Sequence, residues 1–107
     1  MRAWEGLPVL VAGAGVSGAA AARVLRERGA TVTVVDASDE RAEPLRAAAF
    51  TVVATDEPPA GTALVVTSPG WRPDSPLLLA AAAAGIEVIG EVELAWRLRG
   101  ADAAPWL

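Results

Sequence analysis

Apolar positions in this chain fall in short runs rich in β-branched residues, separated by longer stretches in which they recur at helical spacing. The runs predict buried strands at 7–12, 31–35, 51–54, 63–67 and 87–89. The stretches between them predict helices at 16–28, 39–49 and 76–84, with a last helix at 91–99. In the first helix Gly18, Ala21, Val24 and Leu25 share one side of a 3.6-residue wheel, and Arg23, Arg26 and Glu27 the other. Gly18 is therefore expected to face the sheet. Gly29 and Gly85 follow their helices at the position where a left-handed residue closes the last turn. The run Ala80 to Ala84 is a strong helix former whose small side chains allow close packing, and Pro58-Pro59-Ala60-Gly61 is a loop before the fourth strand. Strands alternating with helices imply a parallel sheet covered on both faces.

The first strand runs directly into Gly13-Ala14-Gly15-Val16-Ser17-Gly18, a G-x-G-x-x-G segment at the opening of an amphipathic helix, and Asp36 ends the second strand. In such a segment the first glycine turns the chain, the second lets a phosphate approach the backbone, and the third lets helix and sheet pack closely. The phosphate then meets a helix N-terminus, whose free N–H groups and dipole bind an anion without a basic side chain. The expected fold is α/β, a Rossmann-like open five-stranded parallel sheet with helices on both faces. Asp36 is placed to accept from a ribose hydroxyl or a base N–H; equally, Asp36 or Ser38 serves as a cap for the next helix. Thr67-Ser68-Pro69-Gly70-Trp71 follows the fourth strand. It lies either on the same ligand-facing rim, with Ser68 and Gly70 lining it, or in a plain turn before Pro76. Trp71 packs on the sheet or stacks on a base. Glu93 and Arg97 pair across one helical turn on a solvated face.

Composition narrows the chemistry. The 107 residues suit one domain, 1–107. The net charge is -4, all nine basic residues are arginine, and none of them cluster, which counts against a nucleic-acid partner. There is no stretch of the roughly 18 to 20 apolar residues a membrane span needs, and no signal-peptide core at the N-terminus, so a cytoplasmic protein without a membrane partner is expected. The chain has no His, Cys, Tyr or Lys, which removes most general bases and covalent nucleophiles. No catalytic residue and no metal site are expected within it.

The segments Gly13 to Gly18, Val34-Val35-Asp36, Ser68-Pro69-Gly70 and Gly85-Ile86-Glu87-Val88-Ile89-Gly90-Glu91-Val92-Glu93-Leu94, in this order and spacing, resemble the N-terminal domain of the Mur ligases that add D-glutamate to UDP-N-acetylmuramoyl-L-alanine. The resemblance covers essentially the whole chain. It implies a role in peptidoglycan synthesis, in which ATP phosphorylates the L-alanine carboxylate and the D-glutamate amine attacks the acyl phosphate. It also implies that this domain holds the UDP end of the substrate: Gly13, Gly15, Val16, Ser17 and Gly18 at the diphosphate, Asp36, Ala37 and Ser38 toward the uracil, and Ser68 and Gly70 on the opposite side. Some relatives place Thr and then Arg directly after the acid, where this chain has Ala37 and Ser38, and Arg41 is the available substitute. ATP and Mg belong to a central domain of the full-length enzyme, so no cofactor is expected here and the isolated chain should be inactive. The central and C-terminal domains are the implied partners, with residues 103–107 starting the linker to the former. The alternatives from other classes are an NAD(P)-binding regulatory or dehydrogenase module, which the glycine fingerprint and Asp36 also suit, and a purely structural or interaction domain that keeps the fold with no ligand.

Overall fold

The computed structural model describes residues 4–102. Strands β1 (Pro8–Ala12), β2 (Thr31–Val35), β3 (Thr51–Val53), β4 (Leu64–Thr67) and β5 (Glu87–Gly90) alternate with helices α1 (Val16–Glu27), α2 (Asp39–Ala47), α3 (Pro76–Ala83) and α4 (Glu91–Asp102). All pairings are parallel, in the order β3-β2-β1-β4-β5. The expected architecture is the one observed, with element ends displaced by less than a helical turn. The expected linker at 103–107 and Trp106 lie outside the described residues. Among those residues, no helix is long and apolar enough to cross a membrane.

Strand periodicity divides the interior into two layers. Val9 and Val11 of β1 point to one face of the sheet and Leu10 and Ala12 to the other, and all four are buried. On the first face the strands pack against Ala22 and Leu25 of α1, Ala42 and Leu45 of α2, and Leu94 and Leu98 of α4. On the second, Leu10, Val35 and Val65 meet Leu77, Leu78 and Ala81 of α3. β3 passes to β4 without a helix, so among the described residues α3 is the one helix on that side.

Helices α1, α2 and α3 end in the same way. After α1, the N–H of Ala30 donates to the Leu25 carbonyl at 3.1 Å and that of Gly29 to Arg26 at 2.9 Å; after α3, Ile86 donates to Ala81 at 2.9 Å and Gly85 to Ala82 at 3.0 Å. After α2, Phe50 donates to Leu45 and Ala49 to Arg46, both at 2.9 Å. Each pattern requires a left-handed residue at its first position. Gly29 and Gly85 adopt φ of 91° and 74°, whereas at α2 the position is filled by Ala49 at φ 69°. The helix stops two residues short of the expected 49 because its closing turn uses that residue. An L-residue in this conformation costs about 1 to 2 kcal/mol. Ala49→Gly should therefore raise the unfolding free energy by up to about 1 kcal/mol, part of the relief being offset by the freer unfolded chain, as measured by urea denaturation. A lower midpoint would contradict this account of the α2 terminus.

Candidate functional site

The sheet order reverses between β1 and β4. From β1 the chain leaves to one face as α1; after β4 it proceeds to the other face as α3. The loops at these carboxyl ends part, which is where open parallel sheets hold ligands. A cavity of about 420 Å³ opens there, bounded by residues of the segments 13–18, 36–41 and 68–71.

The three fingerprint glycines have different reasons to lack a side chain. Gly13 takes φ of 104°, donates its N–H to the Val35 carbonyl at 2.8 Å, and has no room for a Cβ because Ser68 Oγ and the Trp71 ring lie against it. A Cβ at Gly18 would collide with the carbonyl oxygen of Gly13, so that glycine sets the approach of α1 to the loop. Gly15 is unlike both. Its φ of -70° suits any residue, and a Cβ there would meet nothing within 4 Å. Folding does not demand glycine at that position; an unobstructed cavity does. No side chain caps α1 at Gly15, and its first turn carries no acidic residue. The N-terminal N–H groups around Val16 and Ser17 thus present a partial positive charge to the opening.

Asp36 is the buried charged residue of the described chain, 7% exposed. One oxygen, Oδ2, accepts from the Ala14 N–H at 2.9 Å and from Arg41 Nε at 2.8 Å; the other, Oδ1, accepts from the Ser38 N–H at 2.8 Å and from Arg41 Nη2 at 2.9 Å. An ionised carboxylate has about four acceptor positions, and here all are filled from within the protein. The expected hydrogen bond from Asp36 to a ligand is thus taken up internally in this conformation. Instead the carboxylate ties the β1 loop to the end of β2 and holds the guanidinium of Arg41, whose side chain is 57% exposed, at the cavity wall. The two groups shift each other. The Arg41 hydrogen bonds, helped by the Ala14 and Ser38 N–H groups, outweigh burial and lower the Asp36 pKa from 3.8 to about 2, and Arg41 is raised above its ordinary value.

Most of the expected residues converge. Gly13, Gly15, Val16, Ser17 and Gly18 line the cavity, as do Asp36, Ser68 and Gly70. Ser68 Oγ donates to the Ala12 carbonyl at 2.7 Å, clipping the β4 loop to β1. Ala37 and Ser38 lie off the cavity; Ser38 caps α2, its Oγ accepting from the Arg41 N–H at 3.2 Å. Of the two readings of the 36–38 segment, the cap is observed at Ser38, while Asp36 lines the cavity with its oxygens bonded internally. Arg41 joins the site from five residues downstream, a position signalled in the sequence only by its place on the first turn of the next helix. Trp71 also lines the cavity, while Trp4 is buried elsewhere and Trp96 is exposed. Arg97 pairs with Glu93 at 2.9 Å as expected, and additionally with Glu87, away from the cavity. Among the described residues no group of three or more acidic, His or Cys side chains is placed to hold a metal ion.

Comparison with known proteins gives a consistent picture. Residues 8–90 match the family model described as Mur ligase MurD-like, N-terminal domain. The whole chain is 57% identical to 24% of a UDP-N-acetylmuramoylalanine--D-glutamate ligase from Streptomyces avermitilis. To the enzyme of the same name from Thermobifida fusca it is 58% identical, over 96% of this chain and 23% of that protein. The chain thus spans about a quarter of the length of these relatives. Among solved structures, a UDP-N-acetylmuramate-alanine ligase from Thermotoga maritima aligns over 82% of this chain and 21% of its own, with TM-score 0.72 and 18% identity, a likeness of fold. Shikimate 5-dehydrogenase from Thermus thermophilus, in complex with shikimate, aligns over 94% of this chain and 48% of its own with TM-score 0.62 and 27% identity.

The Asp36 network makes stability pH-dependent. Because the folded pKa lies below the unfolded one, the stabilisation is complete above the unfolded value of 3.8 and is lost as pH falls toward about 2. The shift corresponds to about 2 kcal/mol. Asp36→Asn should lose roughly that amount at pH 7, and its unfolding free energy should fall less between pH 5 and pH 2 than that of the parent chain. Parallel acid limbs in urea titrations of the two proteins would show that Asp36 carries no such linkage.

Proposed function

The chain belongs to the family of MurD-like N-terminal domains of the Mur ligases, and from that premise we propose that it holds the UDP moiety of UDP-N-acetylmuramoyl-L-alanine for the ATP-dependent ligase that adds D-glutamate in peptidoglycan synthesis. The observation that carries this reading is the uncapped N-terminus of α1 opening into a cavity that Gly15 keeps clear although folding does not require a glycine there. In the proposed complex the diphosphate lies over Gly15, Val16 and Ser17 and accepts from their backbone N–H groups. The dipole of α1 reinforces those bonds. The uridine end extends toward Asp36 and Arg41, where the fork of Arg41 is held flat by two hydrogen bonds and offers its exposed face to a planar base. The muramoyl end leaves past Ser68 and Gly70.

In this reading the domain orients one substrate and the phosphoryl-transfer chemistry resides elsewhere in the ligase. Clamping a triphosphate requires Mg²⁺ and a cationic side chain close to its phosphates. The chain contains no lysine, the guanidinium of Arg41 at the cavity is bonded to Asp36, and no described cluster suits a metal. ATP and the metal are accordingly assigned to the part of the ligase beyond the quarter that this chain matches.

A dinucleotide reading is favoured by the likeness to shikimate 5-dehydrogenase, one structure of which is in complex with NADP(H). In that reading Asp36 must accept from ribose hydroxyls, and to do so it would have to give up Arg41 or a backbone N–H. UDP demands no such exchange if the base meets Arg41 and the diphosphate meets α1.

UDP titrated into the 107-residue chain should bind and NAD should not. Gly15→Val should weaken UDP binding by tenfold or more because the side chain enters the phosphate space, while lowering stability by less than about 1 kcal/mol. Gly18→Ala should instead destabilise by about 1 to 3 kcal/mol, the added carbon being forced against the Gly13 carbonyl. Unaltered UDP affinity in Gly15→Val, or saturable binding of NAD in place of UDP, would refute the assignment. The purified chain should also release no phosphate from ATP and Mg²⁺, and measurable turnover would contradict the division of labour between domains.

A further inference from the structure

Opposite Asp36 and Arg41, the cavity is bounded by Trp71. Its position follows from three contacts. The Trp71 backbone N–H donates to the Ser68 carbonyl at 3.1 Å, closing the turn after β4, and Ser68 Oγ fastens that turn to the Ala12 carbonyl. The ring then reaches back to the β1 loop: a Cβ built on Gly13 would stand 2.8 Å from Trp71 Nε1 and 3.4 Å from Cδ1. The nitrogen-bearing edge of the indole therefore abuts the loop that turns into α1. Elsewhere the ring packs against the apolar layer beneath α3.

This orientation is chemically specific. The indole N–H is a donor that cannot accept, and it makes no hydrogen bond to any described residue. It is not among the buried side-chain atoms that lack a partner, and its residue lines the cavity. A ligand that fills the cavity closes it off from solvent and leaves the N–H unsatisfied unless the ligand supplies an acceptor. The N–H groups at the start of α1 are donors, Arg41 is cationic, and the Asp36 carboxylate at the wall has its acceptor positions filled by Ala14, Ser38 and Arg41, so an acceptor-rich anion is the complementary species.

We propose that Trp71 is a binding residue for the diphosphate of the nucleotide substrate, donating its indole N–H to a phosphoryl oxygen from the β4 side while the ring excludes water from that flank. The proposal rests on the UDP reading above. It assigns Gly13 a second task, since any side chain there would displace the indole from the cavity wall.

The test uses the 107-residue chain labelled with ¹⁵N-tryptophan and ¹⁵N backbone amides, with the Trp71 indole resonance identified by its loss in Trp71→Phe. UDP and inorganic pyrophosphate should each move that resonance downfield, whereas uridine should leave it in place, and the Trp4 indole should not respond to any of the three. Trp71→Phe, which retains an aromatic wall and lacks the donor, should bind UDP about tenfold more weakly. If UDP moves the Val16 and Ser17 amides while the Trp71 indole stays fixed, or if Trp71→Phe binds as tightly as the parent, the proposal is overturned and the UDP reading stands. If neither the amides nor the indole respond to UDP, both fall. Should Trp71→Phe not fold, the resonance is identified by a nuclear Overhauser contact to Gly13, and its response to pyrophosphate decides.

Discussion

Burying Asp36 at the carboxyl end of β2 obliges its surroundings to supply donors for both oxygens, and the way they do so organises the cavity. A carboxylate left unpaired at 7% exposure would cost several kcal/mol or titrate to its neutral form. Three donors are found nearby in sequence, from the Ser38 N–H and the Arg41 fork, and the fourth comes from Ala14, on the far side of a strand pairing. That fourth bond makes the glycine loop a fixed part of the sheet's rim. Arg41, half exposed, keeps one face in solvent, so the pair avoids most of the desolvation penalty of a fully buried ion pair.

With the loop held, the division of labour among the glycines follows from space. Gly13 and Gly18 are locked against each other, and Gly13 against Ser68 and Trp71 as well; their absence of side chains serves packing. Gly15 faces open volume. The positive end of α1 is aimed at that volume, and no side chain competes for it. In the proposed complex, recognition depends on backbone N–H groups, whose positions are set by the sheet and whose charge does not vary with pH, which suits a chain that carries no lysine and no histidine.

The comparisons agree with this economy of side chains. A domain that matches about a quarter of a ligase need not carry the groups of the whole reaction. The shikimate 5-dehydrogenase structures share this fold, so the fold by itself does not distinguish ligands. In this chain the cavity wall carries an acid satisfied internally, an arginine braced by it, and an indole on the other side.

The alternation of strand and helix, the covering of both sheet faces, and the convergence of the 13–18 loop, Asp36 and the 68–70 loop were all legible in the sequence, whereas Ala37 and Ser38, expected there too, lie off the cavity. Hydrophobic periodicity and backbone preference act between near neighbours, and a parallel βα order leaves few topologies. Where a local rule was broken, the sequence misled slightly, as at Ala49, an alanine in a left-handed turn that extended the expected helix by two residues. Three matters were decided only by the tertiary structure. Asp36 turned inward because the pairing of β1 with β2 carried the Ala14 N–H to within 2.9 Å, a donor 22 residues away. Arg41 reached the wall because α2, beginning at Asp39, places its guanidinium where it grips both oxygens of Asp36. Trp71 met Gly13 because β4 lies beside β1. A side chain's hydrogen-bonding partner depends on which distant donors the fold delivers to it, and spacing along the chain carries no record of that distance.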